Sequence, residues 1–214
     1  MIQQRTIPLF PLGVVLLPRM PLPLHIFEER YRVMLEDCLA SDRLFGIVYA
    51  SGSKLQRTGC TARIDRVLNR YDDGRSDILT IGEERFRLGK VNEDKAYLQA
   101  DVEFIEDDNS RRADDLDGLA RDALNALESL SNATGSQIDI DTLRTMDPES
   151  ISFLIGSTGV FTMEERQHFL EMSSSARRLE VLTSSLKEVT ERRRVLQHLQ
   201  QVLKTGGDLS YLFN

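Results

Sequence analysis

Residues 21–31 read PLPLHIFEERY, which sets His25, Glu28, Glu29, Arg30 and Tyr31 within seven positions at the end of an apolar run. An imidazole beside carboxylates is the raw material of a divalent-metal site or of acid–base catalysis. A catalytic zinc site takes three protein ligands. The other histidines, His168 and His198, stand far along the chain, and neither belongs to an HExxH arrangement. Without a third ligand, His25 is expected as a ring packed at the end of a strand with its nitrogens bonded to backbone. Glu28 and Arg30 are expected in a first helical turn, where an ion pair is their ordinary use. A small-molecule or metal-dependent enzyme using His25, Glu28 and Arg30 stands as the alternative reading.

Other chemistries find less. There is no GxSxG, and the serines gather in SSSAR and TSSLK, which suit a helix cap and a helix surface. A thiol nucleophile would have to be Cys38 or Cys60, and Cys38 falls on the apolar face of its helix. The two are 22 positions apart without a CxxC, so buried, reduced thiols are expected rather than a metal site or a disulfide. No GxxxxGK[ST] phosphate loop occurs, because LKTGGDLS has its lysine before the glycines. TGG reads as a tail after the last helix. In IGEERFRL, Gly82 begins a turn into a strand whose Phe86 and Leu88 face inward.

The elements that must position these residues fall into two compositions. Five of the six prolines lie in residues 8–23, where they exclude helix and permit edge strands. EERYRVMLEDCLAS then spaces Phe27, Tyr31, Met34, Leu35 and Cys38 by three and four, which predicts one amphipathic helix over roughly 27–40. LFGIVYA reads as a short buried strand. Three further runs have strand length: GCTARIDRVLNRY, SDILTIGEERFRLGKV and AYLQADVEFIED. DDGRSD makes the turn between the first two, with glycine supplying a positive φ, while the alternation over residues 64–69 is poor. Short strands with one inserted helix suggest a small open barrel or wrapped sheet.

Past residue 105 the polar stretch EDDNSRRADDLDG marks a boundary, placed at 107 between a β-rich part and a helical part. Leu116, Leu119, Ala123, Leu124, Leu127 and Leu130 mark a helix, and SQIDID is the one short strand candidate after it. Asp147 with Pro148 opens another helix, and Thr162 with Glu165 forms a capping box. The last helix, about 28 residues, carries Leu179, Leu182, Leu186, Val189, Leu196 and Leu203 as a core stripe whose end after Arg194 could project and serve oligomerisation. The fold class is therefore α+β, and no 20–50-residue repeat is present.

A chain of 214 residues can bury a core without metals or disulfides, and at 41% apolar and 29% charged it has an ordinary globular balance. No stretch reaches the length of a membrane span, and the residues at the start are not expected to act as a secretory leader. The cytoplasm is the expected compartment. A net charge of −7 disfavours nucleic acid.

The segments IPLFPLGVVLLPRMPLPLHIFEERYRVMLEDCL, GCTARIDRV, GEERFRL and LEMSSSARRLEVLTSSL closely resemble the amino-terminal substrate-binding domain of the Lon ATP-dependent protease. The motif order PLFPLG, PLHIFExRY, GxxARI and GxxRFR carries the resemblance. Its signature positions are His25, Phe27, Glu28, Arg30, Tyr31, Gly82, Arg85 and Phe86, with a structural role expected for them. In that family the first part is a PUA-like pseudo-barrel and the second a helical bundle. Lon continues into an ATPase module and a protease with a Ser-Lys dyad, and neither motif is present here. The resemblance implies a freestanding, non-enzymatic module that binds unfolded or exposed apolar polypeptide segments, an adaptor in protein quality control. No cofactor, metal, nucleic-acid partner or membrane partner is expected. Within it, Phe27 and Tyr31 are expected to anchor the helix to the core while Glu28 and Arg30 fix its start.

Overall fold

The computed structural model describes residues 4–52, 54–108 and 112–204. In chain order the elements are β1 (Gln4–Leu12), β2 (Pro21–Ile26), α1 (Glu29–Leu39), β3 (Leu44–Ser51), β4 (Lys54–Arg70), β5 (Ser76–Asn92), β6 (Gln99–Ile105), α2 (Ala113–Thr134), α3 (Ile140–Leu143), α4 (Pro148–Gly156), α5 (Met163–Glu171) and α6 (Ser175–Lys204). The α+β class read from the sequence is the class observed. The TGG segment lies outside the described residues.

The six strands form one sheet in the order β2-β5-β4-β3-β1-β6, with β6 also pairing β5. That last pairing wraps the sheet into a barrel. β1 runs parallel to β3, and the other pairings are antiparallel. The 17-residue β5 serves two neighbours along one edge: residues 76–81 pair with β2, and residues 85–92 pair with β6. A strand this long must bend to do both, and β4 beside it shifts register after Cys60, Ile64 and Val67. Those bulges explain the poor alternation over residues 64–69, because each extra residue moves the side chains that follow to the opposite face.

The chain divides into two compact units. One comprises residues 1–110 with 152–175, the other 111–151 with 176–214. The compositional boundary at 107 lies close to the first crossing. Residues 152–175, helical by composition, belong with the strands, because Phe153 and Leu170 are buried in the same apolar cluster as Phe10, Tyr31 and Phe45. A second cluster in this unit joins Ile7, Leu9, Val48, Phe86, Leu88 and Val102. Phe86 occupies a slot that Gly46 and Gly59 leave open, since a Cβ on either would collide with its ring.

In the other unit, α2 buries Ala123, Leu124, Leu127 and Leu130, and α6 buries Leu179, Leu182 and Leu186. α2 ends at Gly135 in the left-handed conformation, φ 70°. SQIDID forms no strand: residues 136–139 are irregular and the last two open the short helix α3, started by Asp139, whose side chain accepts from the Thr142 amide. Four alternating residues next to an Asp cap give a capped turn as readily as a strand. The Asp147 start of α4 and the Thr162–Glu165 capping box of α5 are present. No described helix is long and apolar enough to cross a membrane.

Candidate functional site

The strand-to-helix corner at residues 21–31 lies at the outer edge of the sheet. β2 pairs with β5 in the register Pro21↔Ile81, Pro23↔Leu79 and His25↔Asp77, which brings His25 beside a carboxylate 52 residues away. His25 Nδ1 stands 2.6 Å from Asp77 Oδ1, and the Tyr71 hydroxyl donates to Asp77 Oδ2 at 2.7 Å. These bonds hold the Asp77 carboxyl below its ordinary pKa, the His25 contact contributing most. The imidazole is thus half-exposed and bonded to a side chain, where a buried ring bonded to backbone was expected. His25 ends an outer-face row of an edge strand, and such positions look to solvent.

Phe27 departs further from expectation. It is 59% exposed and stacks on the His25 ring at 6.0 Å, so it does not anchor α1 to the core. Tyr31 does, buried at 4.0 Å from the Phe10 ring. The helix starts at Glu29, two residues later than the spacing suggested, which leaves Phe27 on the extended connection. Arg30 donates to Glu28 Oε2 through Nε at 3.0 Å and Nη2 at 2.8 Å and lies over the Tyr31 ring. Glu28 and Arg30 therefore bond to one another, while His25 bonds to Asp77. Among the described residues no group of three or more His, Cys, Asp or Glu is placed to hold a metal ion.

Two exposed aromatic rings flank His25 at this corner, Phe27 stacked on it and Tyr71 meeting it edge-on at 6.0 Å, and Leu68 is a further exposed apolar residue of β4. Leu68 stands where β4 bulges between Val67 and Asn69, a shift that turns an otherwise inward position out to solvent. The free edge of β2 is poor in donors, since Pro21 and Pro23 have no N–H to offer an added strand.

The second signature stretch lies inside the barrel unit. Gly82 bonds to the loop between β1 and β2 at both of its backbone groups, accepting from the Arg19 amide at 2.7 Å and donating to the Met20 carbonyl at 2.9 Å. A Cβ there would stand on the Leu17 carbonyl oxygen. Arg85 is 2% exposed and pairs with the equally buried Asp107. Its Nη1 donates to the carbonyls of Leu170 at 3.1 Å and Met172 at 2.6 Å, which closes the carboxyl end of α5. Asp107 also accepts from the Ser175 hydroxyl. A buried guanidinium needs this many acceptors, and unfilled carbonyls at a helix end supply them.

A cleft of about 620 Å³ on the same unit holds Asp37, Cys38, Lys95 and Tyr97. Asp37 Oδ2 accepts from Lys95 Nζ and from the Tyr97 hydroxyl, each at 2.7 Å. Burial pushes the Cys38 thiol up to about 12, and the bond to Asp37 holds Lys95 protonated. Burial likewise raises Cys60. Neither thiol is a thiolate at neutral pH, so neither is poised as a nucleophile.

A family model described as the ATP-dependent protease La (LON) substrate-binding domain matches residues 6–188. The chain belongs to this family. It is 24% identical over 206 residues to Lon protease 2 of Syntrophobacter fumaroxidans, covering 92% of this chain and 26% of that protein. To the Lon protease of Desulfosudis oleivorans it is 25% identical over 218 residues, covering 95% and 25%. The chain thus spans about a quarter of the length of the curated relatives it matches. Among solved structures, the Lon N-terminal domain protein from Xanthomonas campestris superposes with a TM-score of 0.65 at 24% identity, covering 84% of this chain and 98% of that one. The N-terminal domain of Mycobacterium avium complex Lon protease gives 0.69 at 21%, covering 85% and 98%. The fold is that of LON N-terminal domains.

Within this LON domain the signature positions occupy two places. His25, Phe27, Glu28, Arg30 and Tyr31 form the outer corner, whereas Gly82, Arg85 and Phe86 belong to the barrel interior and its seam with α5. Sequence reasoning missed Tyr71, Asp77 and Asp107. Only the β2–β5 register reveals the Asp77 contact. Asp107 carried a usable signal: an acid in a polar stretch at the end of β6, downstream of an arginine set within an inward-facing run.

Proposed function

We propose that this LON-family domain is a non-enzymatic binding module for unfolded or exposed apolar polypeptide segments, working as an adaptor in protein quality control. The match to the substrate-binding domain over residues 6–188 carries the reading. The relatives it matches are named Lon proteases, and polypeptide substrates are the ligands such a domain would present to a protease. Supporting it are the exposed side chains of Phe27, Leu68 and Tyr71, which offer apolar and aromatic contact area at the surface. Recognition there would run through side chains rather than through an added strand, because prolines guard the β2 edge.

The test is a titration of a reduced, carboxymethylated unfolded polypeptide against the purified protein, with the folded form of the same polypeptide as control. Saturable binding at tens of micromolar, on the order of 6 kcal/mol, is expected for the unfolded form alone. Phe27→Ala should weaken it by about tenfold without loss of stability, since an exposed ring has little core contact to lose. No saturable binding by the wild-type chain would sink the proposal. Unaltered binding by Phe27→Ala would remove the outer corner as its location.

A further inference from the structure

The carboxyl-terminal half of α6 has an apolar surface that the barrel reading leaves unused. The family match ends at residue 188, and the helix continues to Lys204, another 16 residues or about 24 Å. Val189, Leu196, Leu199 and Leu203 follow one another at intervals of seven, three and four, the spacing of a coiled-coil seam. Leu196 is 54%, Leu199 44% and Leu203 61% exposed. At the flank of the seam, Gln197 Nε2 donates to the Ala133 carbonyl at 3.1 Å, so α2 lies beside the leucines rather than over them. A shallow groove of about 380 Å³ runs along the exposed face, bordered by Val189, Arg192, Arg193, Leu196, Gln197 and Gln200.

We propose that this seam binds the same seam of a second copy of the chain, as an antiparallel pair of α6 ends. Charge decides the orientation, and the self-complementary spacing decides the occupant. Arg192, Arg193 and Arg194 follow one another at the start of the seam, with Arg192 at a seam position between Val189 and Leu196. A parallel pair would set the two arginine clusters side by side, with Arg192 against its own copy. An antiparallel pair sends them to opposite ends. It also makes the segment complementary to itself: Leu196 faces Leu199 of the other copy, Leu199 faces Leu196, and Leu203 packs on the aliphatic stem of Arg192 at each end. The arginines are already partly neutralised within the helix, by Glu188 for Arg192 at 2.7 Å and by Glu191 for Arg194 at 3.7 Å. Two heptads make a short seam, so the association is weak, in the range of tens of micromolar.

Sedimentation equilibrium of the full chain from about 1 to about 200 μM tests it. The weight-average mass should rise from that of one chain toward twice it. Leu196→Glu with Leu199→Glu should raise the dissociation constant by at least about tenfold, with an unchanged thermal midpoint, since both residues are exposed. Orientation is read by disulfide trapping. A mixture of Leu196→Cys and Leu199→Cys chains should cross-link more readily than either variant alone, because each faces the other only in the antiparallel pair, and the buried Cys38 and Cys60 do not compete. A single-chain mass across the range, or a dimer indifferent to the double substitution, would overturn the proposal. So would flotation of a monomeric wild-type chain with phosphatidylserine vesicles that the double variant loses, because the seam would then be a membrane face.

Discussion

Asp77 is the residue on which the outer corner turns. It takes the His25 ring on one oxygen and the Tyr71 hydroxyl on the other, and both contacts favour its charged form. A carboxyl whose folded pKa is depressed contributes stability that is present above its unfolded value, about 3.9, and is lost as pH falls through the folded value. Asp77→Asn should therefore lower the thermal midpoint at neutral pH, with the difference from wild type shrinking as pH falls below about 4. The effect is small, because the pair is solvent-exposed. A difference that grew on acidification would show that the carboxylate does not hold the corner. Phe27 teaches a different lesson at this scale. Its residue type suggested core, and its place one step outside the helix put it on the surface.

At the scale of elements, α5 joins the barrel unit through Arg85. Arg85→Met removes the guanidinium that pairs with the buried Asp107 carboxylate and donates to the Leu170 and Met172 carbonyls, and should cost about 3–5 kcal/mol in urea unfolding. Adding Asp107→Leu should recover much of that loss, since a buried pair replaced by apolar groups is often neutral. A double variant no better than the single one would mean that the pair sets the geometry of the seam, not only its charge balance. Gly82→Ala should cost about 1–3 kcal/mol by pushing the Leu17 backbone away from β5. Much at this scale was legible in the sequence. Prolines, the DDGRSD turn, whose Gly74 has a φ of 85°, and the two helix caps each act within a few residues. The β4 bulges were legible only as a failed alternation, because a bulge is a relation between two strands.

For the whole molecule, the division between units decides which fragments can fold. A chain ended at residue 107 lacks Phe153 and Leu170 from its main apolar cluster and loses the carbonyls that accept from Arg85. It should express without a cooperative thermal transition, whereas the full chain should melt cooperatively. A cooperative transition in the 1–107 fragment would instead make the linear boundary a true folding boundary. Composition places residues 152–175 with the helices, yet their apolar faces close the barrel. Composition reports what an element is made of, and its partner is set by which apolar surface it covers.

Unaided, the sequence determined the α+β class, the order of β-rich and helical parts, the capped starts of α4 and α5 and the family resemblance. Each of these rests on residues close together in the chain or on motifs in a fixed order. Only the tertiary structure decided that β6 closes the sheet onto β5, that His25 meets Asp77, that Arg85 meets Asp107 and that Phe27 faces solvent. The physical reason is common to all four. Strand register and long-range packing join residues tens of positions apart, and their free energy comes from burial and pairing that no local window contains.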